Sequence, residues 1–359
     1  MKKPIKSLTT YFFEDKPLFG LDIGHQLLRV MQVDLGHKVP LLKGYGSAAF
    51  ESSAIVDGVI VRPELIAKVS VKMFNEELIG TINTNRVAIS LPASRAITRA
   101  VQLPKMTAKD IDEAVQTEIE QYIPNRNEEL YVDYTIIREE GNDMDVFVVA
   151  MPKKIVDSYL VLARMLGLEP VLFDTSIGAN ARLFAHDKHS NIPSVLIDFG
   201  TESANITVVN HGLVVTGTVA FGGDNITQTI SEHLHVTPAE AVMLKTKYGL
   251  SSSAAQEQIV TALQPALELL IKETRRTVRY YEQRYIKEPP IGQIITMGGG
   301  ANMPGLADYL TEQLRLPVRS FGPATHIQFG ALPPFKHADR MSYATVAGLA
   351  VTNPAEIFA

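Results

Sequence analysis

The chain is predicted to be an α/β protein of two lobes built on one duplicated strand plan, and three observations carry this. An apolar strand that ends in Asp-x-Gly and turns at once into a second strand occurs at Asp22-Ile23-Gly24 and again at Asp198-Phe199-Gly200, 176 positions later. Strand-like alternation and helix-like periodicity interleave along the whole length. A third strand ends in glycine, at Gly298-Gly299-Gly300-Ala301.

Taken in order, Leu18 to Gly24 is a short apolar run, and Leu27 to Leu35 resumes after only His25-Gln26, which predicts a tight hairpin. A third strand is expected over Leu42 to Phe50. Leu65, Ile66, Val69, Met73 and Leu78 predict an amphipathic helix over Glu64 to Ile79, and Arg86 to Leu91 a strand stopped by Pro92. Thr107 with Asp110 three residues later reads as a helix start, with Ile111, Ala114, Val115, Ile119 and Tyr122 on one face and Pro124 beyond its end. Tyr131 to Ile137 and Asp145 to Ala150 are strands about the turn at Gly141-Asn142, and Lys153 to Leu166 is a helix ended by Gly167. The block 92–170 therefore reads as a strand-helix-strand-strand-helix insertion. After it the opening theme returns: Ser194 to Phe199, Ala204 to Val209 and Leu213 to Val219 are strands. Helices follow over Thr237 to Leu250 and Ala255 to Ile286, the second with Ile259, Leu263, Leu267, Leu270, Ile271, Val278 and Tyr281 as its apolar face. Ile291 to Met297 is a buried strand, Met303 to Leu314 a helix, and Ser342 to Val351 a closing helix of small residues.

Composition narrows the function. Of 359 residues, 46% are hydrophobic and 20% charged, ordinary for a globular chain, so wholesale disorder is excluded. No cysteine is present, which removes disulfide scaffolds, thiol nucleophiles, iron–sulfur clusters and thiolate zinc sites together. A net charge of −5 argues against a nucleic-acid binder, which needs a basic face to displace counterions. The first residues begin basic, but Lys6, Thr9, Thr10 and Glu14-Asp15 interrupt any signal-peptide core, and no apolar run approaches the roughly 20 residues of a spanning helix. A cytoplasmic protein is expected, its start a flexible tail or, through Ile5, Leu8, Phe12 and Phe13, a short amphipathic anchor.

The glycine turns have a chemistry. At a strand end in Asp-x-Gly, backbone N–H groups face outward and glycine admits a phosphate without a Cβ clash. The aspartate would repel phosphate, so Asp22 and Asp198 are expected to hold Mg²⁺ through water. A single copy is equally what a plain hairpin uses; two copies with a third glycine strand end are much harder to obtain by chance. At Gly298 to Ala301, backbone lying flat against a base or ribose, with the next helix start toward phosphate, completes a nucleotide site.

These motifs resemble, in order, those of the actin, Hsp70 and sugar-kinase superfamily: Asp22-Ile23-Gly24 the first phosphate motif, Asp198-Phe199-Gly200-Thr201 the second, Gly298 to Ala301 the adenosine motif, and Ala344 to Ala350 the closing helix. Within it the chain, from about Leu18 onward, is most similar to the FtsA-like PilM family of type IV pilus assembly proteins. The more specific parts are Glu118 to Pro124 with Val132-Asp133-Tyr134, Val148 to Lys153, Gly167-Leu168-Glu169-Pro170 and Phe221-Gly222-Gly223-Asp224.

The resemblance implies an actin-like ATPase fold of two lobes with ribonuclease-H-like cores: a tail at 1–17, subdomain 1A at 18–91 and 171–191 with the FtsA-like 1C insertion at 92–170, 2A at 192–225 and 289–341, 2B at 226–288, and the closing helix at 342–359. It implies ATP with Mg²⁺ between the lobes, Asp22 and Asp198 at the metal, and Gly24, His25, Gln26, Gly200, Thr201, Glu202, Gly223, Lys245, Glu273, Arg276, Gly298, Gly299, Gly300, Ala301 and Met303 at the nucleotide. Glu273 and Arg276 share a helix face, which suits ribose and base or simply an intrahelical pair; Lys245 suits the adenine or an exposed helix position. It further implies a cytoplasmic scaffold at the inner face of the membrane. The partner is the amino-terminal peptide of a PilN-like membrane protein, received in a groove of 1A and 1C, with other pilus-machine components and self-association as further contacts. Ile97, Val101 and Leu103 either line that trough or are core.

Two departures bear on activity. His25-Gln26 and Arg29 stand where relatives carry small hydroxyl residues and a lysine. The helix after Phe173 offers Asp174 but no Gln or Glu to orient an attacking water, so ATP binding with slow hydrolysis is expected. A small-molecule kinase or ATPase of the same superfamily is the alternative.

Overall fold

The computed structural model describes residues 16–122, 129–252, 256–336 and 339–357. The expected tail up to residue 15 and the helix end at Pro124 lie outside the described residues.

The duplication is borne out strand for strand. In the first lobe β1 (Phe19–Ile23), β2 (Leu27–Asp34) and β3 (Leu41–Ala49) form an antiparallel meander, while β4 (Arg86–Leu91) pairs parallel with β1 and a later strand, Glu169–Thr175, extends the parallel side. In the second lobe Ser194–Phe199, Ala204–Val209 and Leu213–Val219 repeat the meander, and Gln293–Met297 and Val318–Ser320 repeat the parallel pair. The first sheet alone gains the short strand Ile79–Gly80 beside β3. Central strands such as β4 are buried on both faces, as a parallel strand covered by helices must be.

Between β4 and the end of the first lobe the chain builds a separate three-stranded sheet from β5 (Ile97–Pro104), β6 (Leu130–Glu140) and β7 (Asp143–Pro152), with β7 central. Before it lies α1 (Pro63–Lys72), continued by a π-helical turn, Met73–Glu77, while Ile79, expected to end the helix, begins a short strand. The helix α2 (Ala108–Glu120) starts where its cap requires, with the Asp110 N–H donating to Thr107 Oγ1 at 3.4 Å. Ile111, Val115 and Ile119 close on Val101, Val146 and Val148, and Ile97 and Leu103 pack against the same cluster. Val101 is thus core, with Ile97 and Leu103 half-buried against it.

The sequence grouped the next helix, α3 (Lys153–Met165), with the insertion, but Ile155, Val156, Tyr159, Leu162 and Ala163 are buried in the core of the first lobe beside Phe19, Val30 and Ile89. The inserted sheet therefore ends at Pro152, and β8 (Glu169–Thr175) already belongs to the main sheet.

The lobes meet at two crossing helices, α4 (Ser176–Ala185) and, at the chain end, Ala344–Ala350. Contact is backbone to backbone: a Cβ at Gly348 would lie 1.9 Å from the Ala179 carbonyl oxygen, and one at Gly20 2.5 Å from that of Val346. Between these helices run β9 (Ser194–Phe199), β10 (Ala204–Val209), β11 (Leu213–Val219), α5 (Gly223–Leu234), α6 (Pro238–Lys247), α7 (Gln256–Arg284), β12 (Gln293–Met297), α8 (Leu306–Leu314) and β13 (Val318–Ser320). The closing helix is α9. All the predicted apolar positions of α7 face the second-lobe core. The helix expected directly after the glycine run begins only at Leu306, because a 3₁₀ turn over Gly299–Asn302 intervenes.

Candidate functional site

Both Asp-x-Gly motifs are two-residue hairpins closed the same way: the Gly24 N–H donates to the Leu27 carbonyl at 3.0 Å and the Gly200 N–H to that of Ser203 at 2.9 Å. They point into one cleft of about 640 Å³ between the lobes. Across its floor stand the two aspartates, one per lobe. Asp22, opposite Arg29 in the β1–β2 register, accepts from Ser90 Oγ at 2.6 Å and lies 3.8 Å from the Arg29 guanidinium. Burial raises its pKa above the ordinary carboxylate value, with Arg29 and Ser90 opposing. Burial and then the charge of Asp22 push Asp198 up to about 7, against the Asn180 amide and Arg29.

Two carboxylates raised by burial, Asp198 also by the charge of Asp22, form a donor set that a divalent cation would relieve. Among the described residues no group of three or more acidic, His or Cys side chains gathers for a metal. The site therefore fits an ion that keeps most of its water, as Mg²⁺ does, and offers no all-protein cage.

The glycine strand end forms the adjoining wall. Gly298 has φ 77°, and a Cβ there would lie 2.4 Å from Asp198 Oδ1, so only glycine lets β12 end against the aspartate. Gly298, Gly299, Gly300 and Met303 line the cleft with Asn302, whereas Ala301 turns into the second-lobe core. The start of α5 forms the roof, but its first two N–H groups are spent: those of Gly223 and Asp224 donate to the carbonyls of Gly200 and Thr201, each at 2.9 Å. Lys245 on α6 reaches down to the same turn, donating to the Gly223 carbonyl at 2.9 Å and to Thr227 Oγ1 at 2.8 Å, and burial lowers its pKa. At the mouth His25 Nδ1 lies 3.4 Å from Glu202 Oε1, one turn facing the other.

Of the residues singled out in the sequence, Asp22, Gly24, His25, Asp198, Gly200, Thr201, Glu202, Gly223, Lys245, Gly298, Gly299, Gly300 and Met303 line this cleft. Five do not. Gln26 is exposed on the far side of its turn, its carbonyl holding the Phe50 N–H. Ala301 is core. Glu273 and Arg276 form the plain helix pair at 2.7 Å, with the Arg276 side chain 72% exposed. Asp174, expected near the water, is bound to Arg182 at 2.8 Å beneath Gly178, and Arg182 in turn reaches the Gly348 carbonyl at 3.4 Å, so the pair braces the helix crossing.

Sequence reasoning missed Ser90 and Tyr159. A signal existed for Ser90, the lone hydroxyl in the interior of the buried strand Arg86–Leu91, where an unpaired polar group is costly. Tyr159 carried none: it reads as one more apolar position of α3, and only packing turns it to the cleft, where burial and Asp22 raise its pKa.

Comparison with known proteins agrees with this architecture. A search of curated protein sequences returns no significant match. Among solved structures, a PilM-PilN type IV pilus biogenesis complex matches with TM-score 0.79 at 24% identity, over 94% of this chain and 98% of that one. The ethanolamine utilization protein EutJ from Carboxydothermus hydrogenoformans gives 0.54 at 14% identity over 94% and 91% of the two chains. MreB5 of Spiroplasma citri bound to ADP gives 0.52 at 13%, over 93% and 95%. These likenesses establish the actin-like fold. The family model described as type IV pilus assembly protein PilM matches residues 20–353, nearly the whole of both lobes and the inserted sheet, and the chain therefore belongs to the PilM family of type IV pilus assembly proteins.

Proposed function

We propose that the protein is a nucleotide-dependent scaffold of a type IV pilus, competence or secretion machine, which binds ATP with Mg²⁺ between its lobes and docks a membrane-anchored partner where its inserted sheet meets the first lobe. The observation that carries the nucleotide half is the pair of hairpins closed alike, each presenting an aspartate to one cleft. In this reading Asp22 and Asp198 hold the cation's water shell, Gly298 to Gly300 admit the nucleoside, and His25 and Thr201 meet phosphate oxygens. Bound Mg²⁺ would neutralise phosphate charge between the two carboxylates.

Ser90 and Arg29 keep Asp22 aimed into the cleft. No Gln or Glu follows Asp174 along α4 to the helix end at Ala185, and Asp174 is occupied with Arg182, which supports slow hydrolysis. A kinase of this fold would need a base carboxylate aimed at an acceptor hydroxyl. ADP formation measured with and without sugars or short acids separates the two: turnover of roughly 1 to 100 per second, the usual kinase range, overturns the scaffold.

The partner half rests on the solved PilM-PilN complex and on a surface of this chain. No described helix is long and apolar enough to cross a membrane, so attachment at the inner face would come through the partner. Where β6 of the insertion meets α3, Tyr131 is 47% exposed with its hydroxyl donating to Asp157 at 3.2 Å. Val161 and Met165 continue that stripe along α3 at i+4 and i+8 with about half their surface in solvent. An extended peptide with aliphatic side chains fits such a stripe. The cognate PilN-like amino-terminal peptide is expected to bind wild type and not Val161→Asp with Met165→Asp, at unchanged ATP affinity; equal binding to both overturns this docking site.

A further inference from the structure

The inserted sheet hangs covalently from the first lobe, yet its far end is held by the second. Asp145, on β7, is 5% exposed and takes two arginines from different lobes: Arg138 Nε of its own sheet at 2.8 Å and Arg284 Nη2, at the end of α7, at 3.5 Å. Arg138 continues across to Glu288 at 3.4 Å, and Glu140 pairs with Lys287. Signs thus alternate on both sides: Arg138, Glu140 and Asp145 on the insertion meet Glu288, Lys287 and Arg284 on the second lobe. The aromatic ring of Tyr285 lies under Arg138 at 4.9 Å, Asn210 ties Glu288 to the second sheet at 3.1 Å, and Ile137 packs against the second-lobe core. Beside this, Thr98 of β5 meets Thr216 of β11, hydroxyl to hydroxyl.

We propose that this charge cluster is a strap that makes the insertion move with the second lobe, so that opening or closing of the cleft changes the spacing between the insertion and the first lobe. The physical argument is one of relative cost. Parting the insertion from the second lobe takes Arg284 from the buried Asp145, Glu288 from Arg138 and Lys287 from Glu140 together, whereas the insertion meets the first lobe through two chain connections, the buried Met151 and exposed pairs such as Lys153–Glu129 and Tyr131–Asp157. When the lobes rotate, the weaker seam yields. That seam is the Tyr131 and α3 surface assigned above to the partner. The inference thus deepens the proposed function and rests on it for what drives the motion: nucleotide at one site would alter the width of the other, and by linkage the partner would alter nucleotide affinity by the same factor.

The absence of cysteine makes the test clean, since spin labels can be placed singly or in pairs on an otherwise unreactive chain. Lys109→Cys reports the insertion, Met243→Cys the second lobe and Lys68→Cys the first, all at exposed positions. Without nucleotide, Arg284→Met is expected to broaden the distance distribution between positions 109 and 243 and leave that between 109 and 68 as in the parent. Asp145→Asn, a change on the opposite side of the strap, should do the same. With Mg-ATP, the parent should shift the 109–68 distance and hold 109–243 fixed, and Arg284→Met should reverse the two. Equal 109–243 distributions in the nucleotide-free parent and Arg284→Met overturn the strap, as does a parent in which Mg-ATP moves 109–243 alone. A parent that shows no heat on titration with Mg-ATP sinks the nucleotide reading instead, and the nucleotide-free comparison still decides the strap.

Discussion

Asp198 carries opposite consequences for stability and for ligand. Its carboxyl is pushed up to about 7 by burial and by Asp22, so near neutral pH its charge works against the folded, ligand-free chain. At 1.36 kcal/mol per unit, and with cleft water screening the pair, the effect is on the order of 1 to 2 kcal/mol. Asp198→Asn is therefore expected to raise the Tm of the free protein at pH 7.5 and to abolish Mg²⁺-dependent ATP binding in a calorimetric titration. A lower Tm with intact binding would refute the assignment. His326 gives a pH dependence of definite sign. It is stacked on Phe321 at 4.8 Å, and burial lowers its pKa, with His186 and Arg319 acting the same way and Asp187, 3.3 Å away, opposing. The folded state thus takes up its proton at lower pH than the unfolded chain, and the His326 contribution to stability falls as pH drops below about 6.5, opposite in sign to that of Asp198 over the same range. Asp187 does not blur this window, because its own pKa is lowered and its contribution is complete above the unfolded value of about 3.9. His326→Gln is expected to gain Tm relative to the parent as pH is taken from 7 to 5.5.

At the level of elements the crossing of α4 and α9 is the sharpest case, because two effects predict opposite signs. Helix propensity alone makes Gly348→Ala favourable by about 1 kcal/mol. The methyl, however, would be driven into the Ala179 carbonyl at 1.9 Å, and overpacking of that kind costs about 1 to 3 kcal/mol or more. A net loss in urea unfolding is expected; a gain would mean the helices do not touch as described. Asp174→Asn tests the brace beside it. Leaving Arg182 without its half-buried partner should cost about 1 to 3 kcal/mol and leave nucleotide affinity alone, the reverse of what a water-orienting residue would show.

For the molecule as a whole, Mg-ATP is the ligand to add. A ligand at about 100 times its Kd adds roughly 2.7 kcal/mol to the folded state, so saturating Mg-ATP should raise the Tm by several degrees, and ATP with EDTA by less. No shift in differential scanning calorimetry would leave the cleft without its proposed occupant. The two lobes would share that stabilisation, because each supplies one aspartate and one hairpin to the cleft.

Local chemistry was enough to determine most of this. Gly24 and Gly200 announced their hairpins because a two-residue loop after an apolar strand leaves little else to form, and Thr107 placed a helix start to the residue. The repeat of one motif showed that the fold was duplicated, since each copy carries its own strand, turn and strand. What the sequence left open were matters of which surface meets which. Ile97, Val101 and Leu103 have the same alternation whether they line a trough or a core; only α2 lying across them decides. The helix Lys153–Met165 follows the insertion in the chain but completes the first lobe in space. Asp174 carries a carboxylate of the right kind in the right neighbourhood, and it took the packing to give it Arg182 within 3 Å, whereas the pairing of Glu273 with Arg276 was already one reading of their shared helix face. Charge and periodicity are properties of a segment, whereas a partner across 100 residues of chain is a property of the fold; Asp145 and Arg284 could be paired only by the tertiary structure.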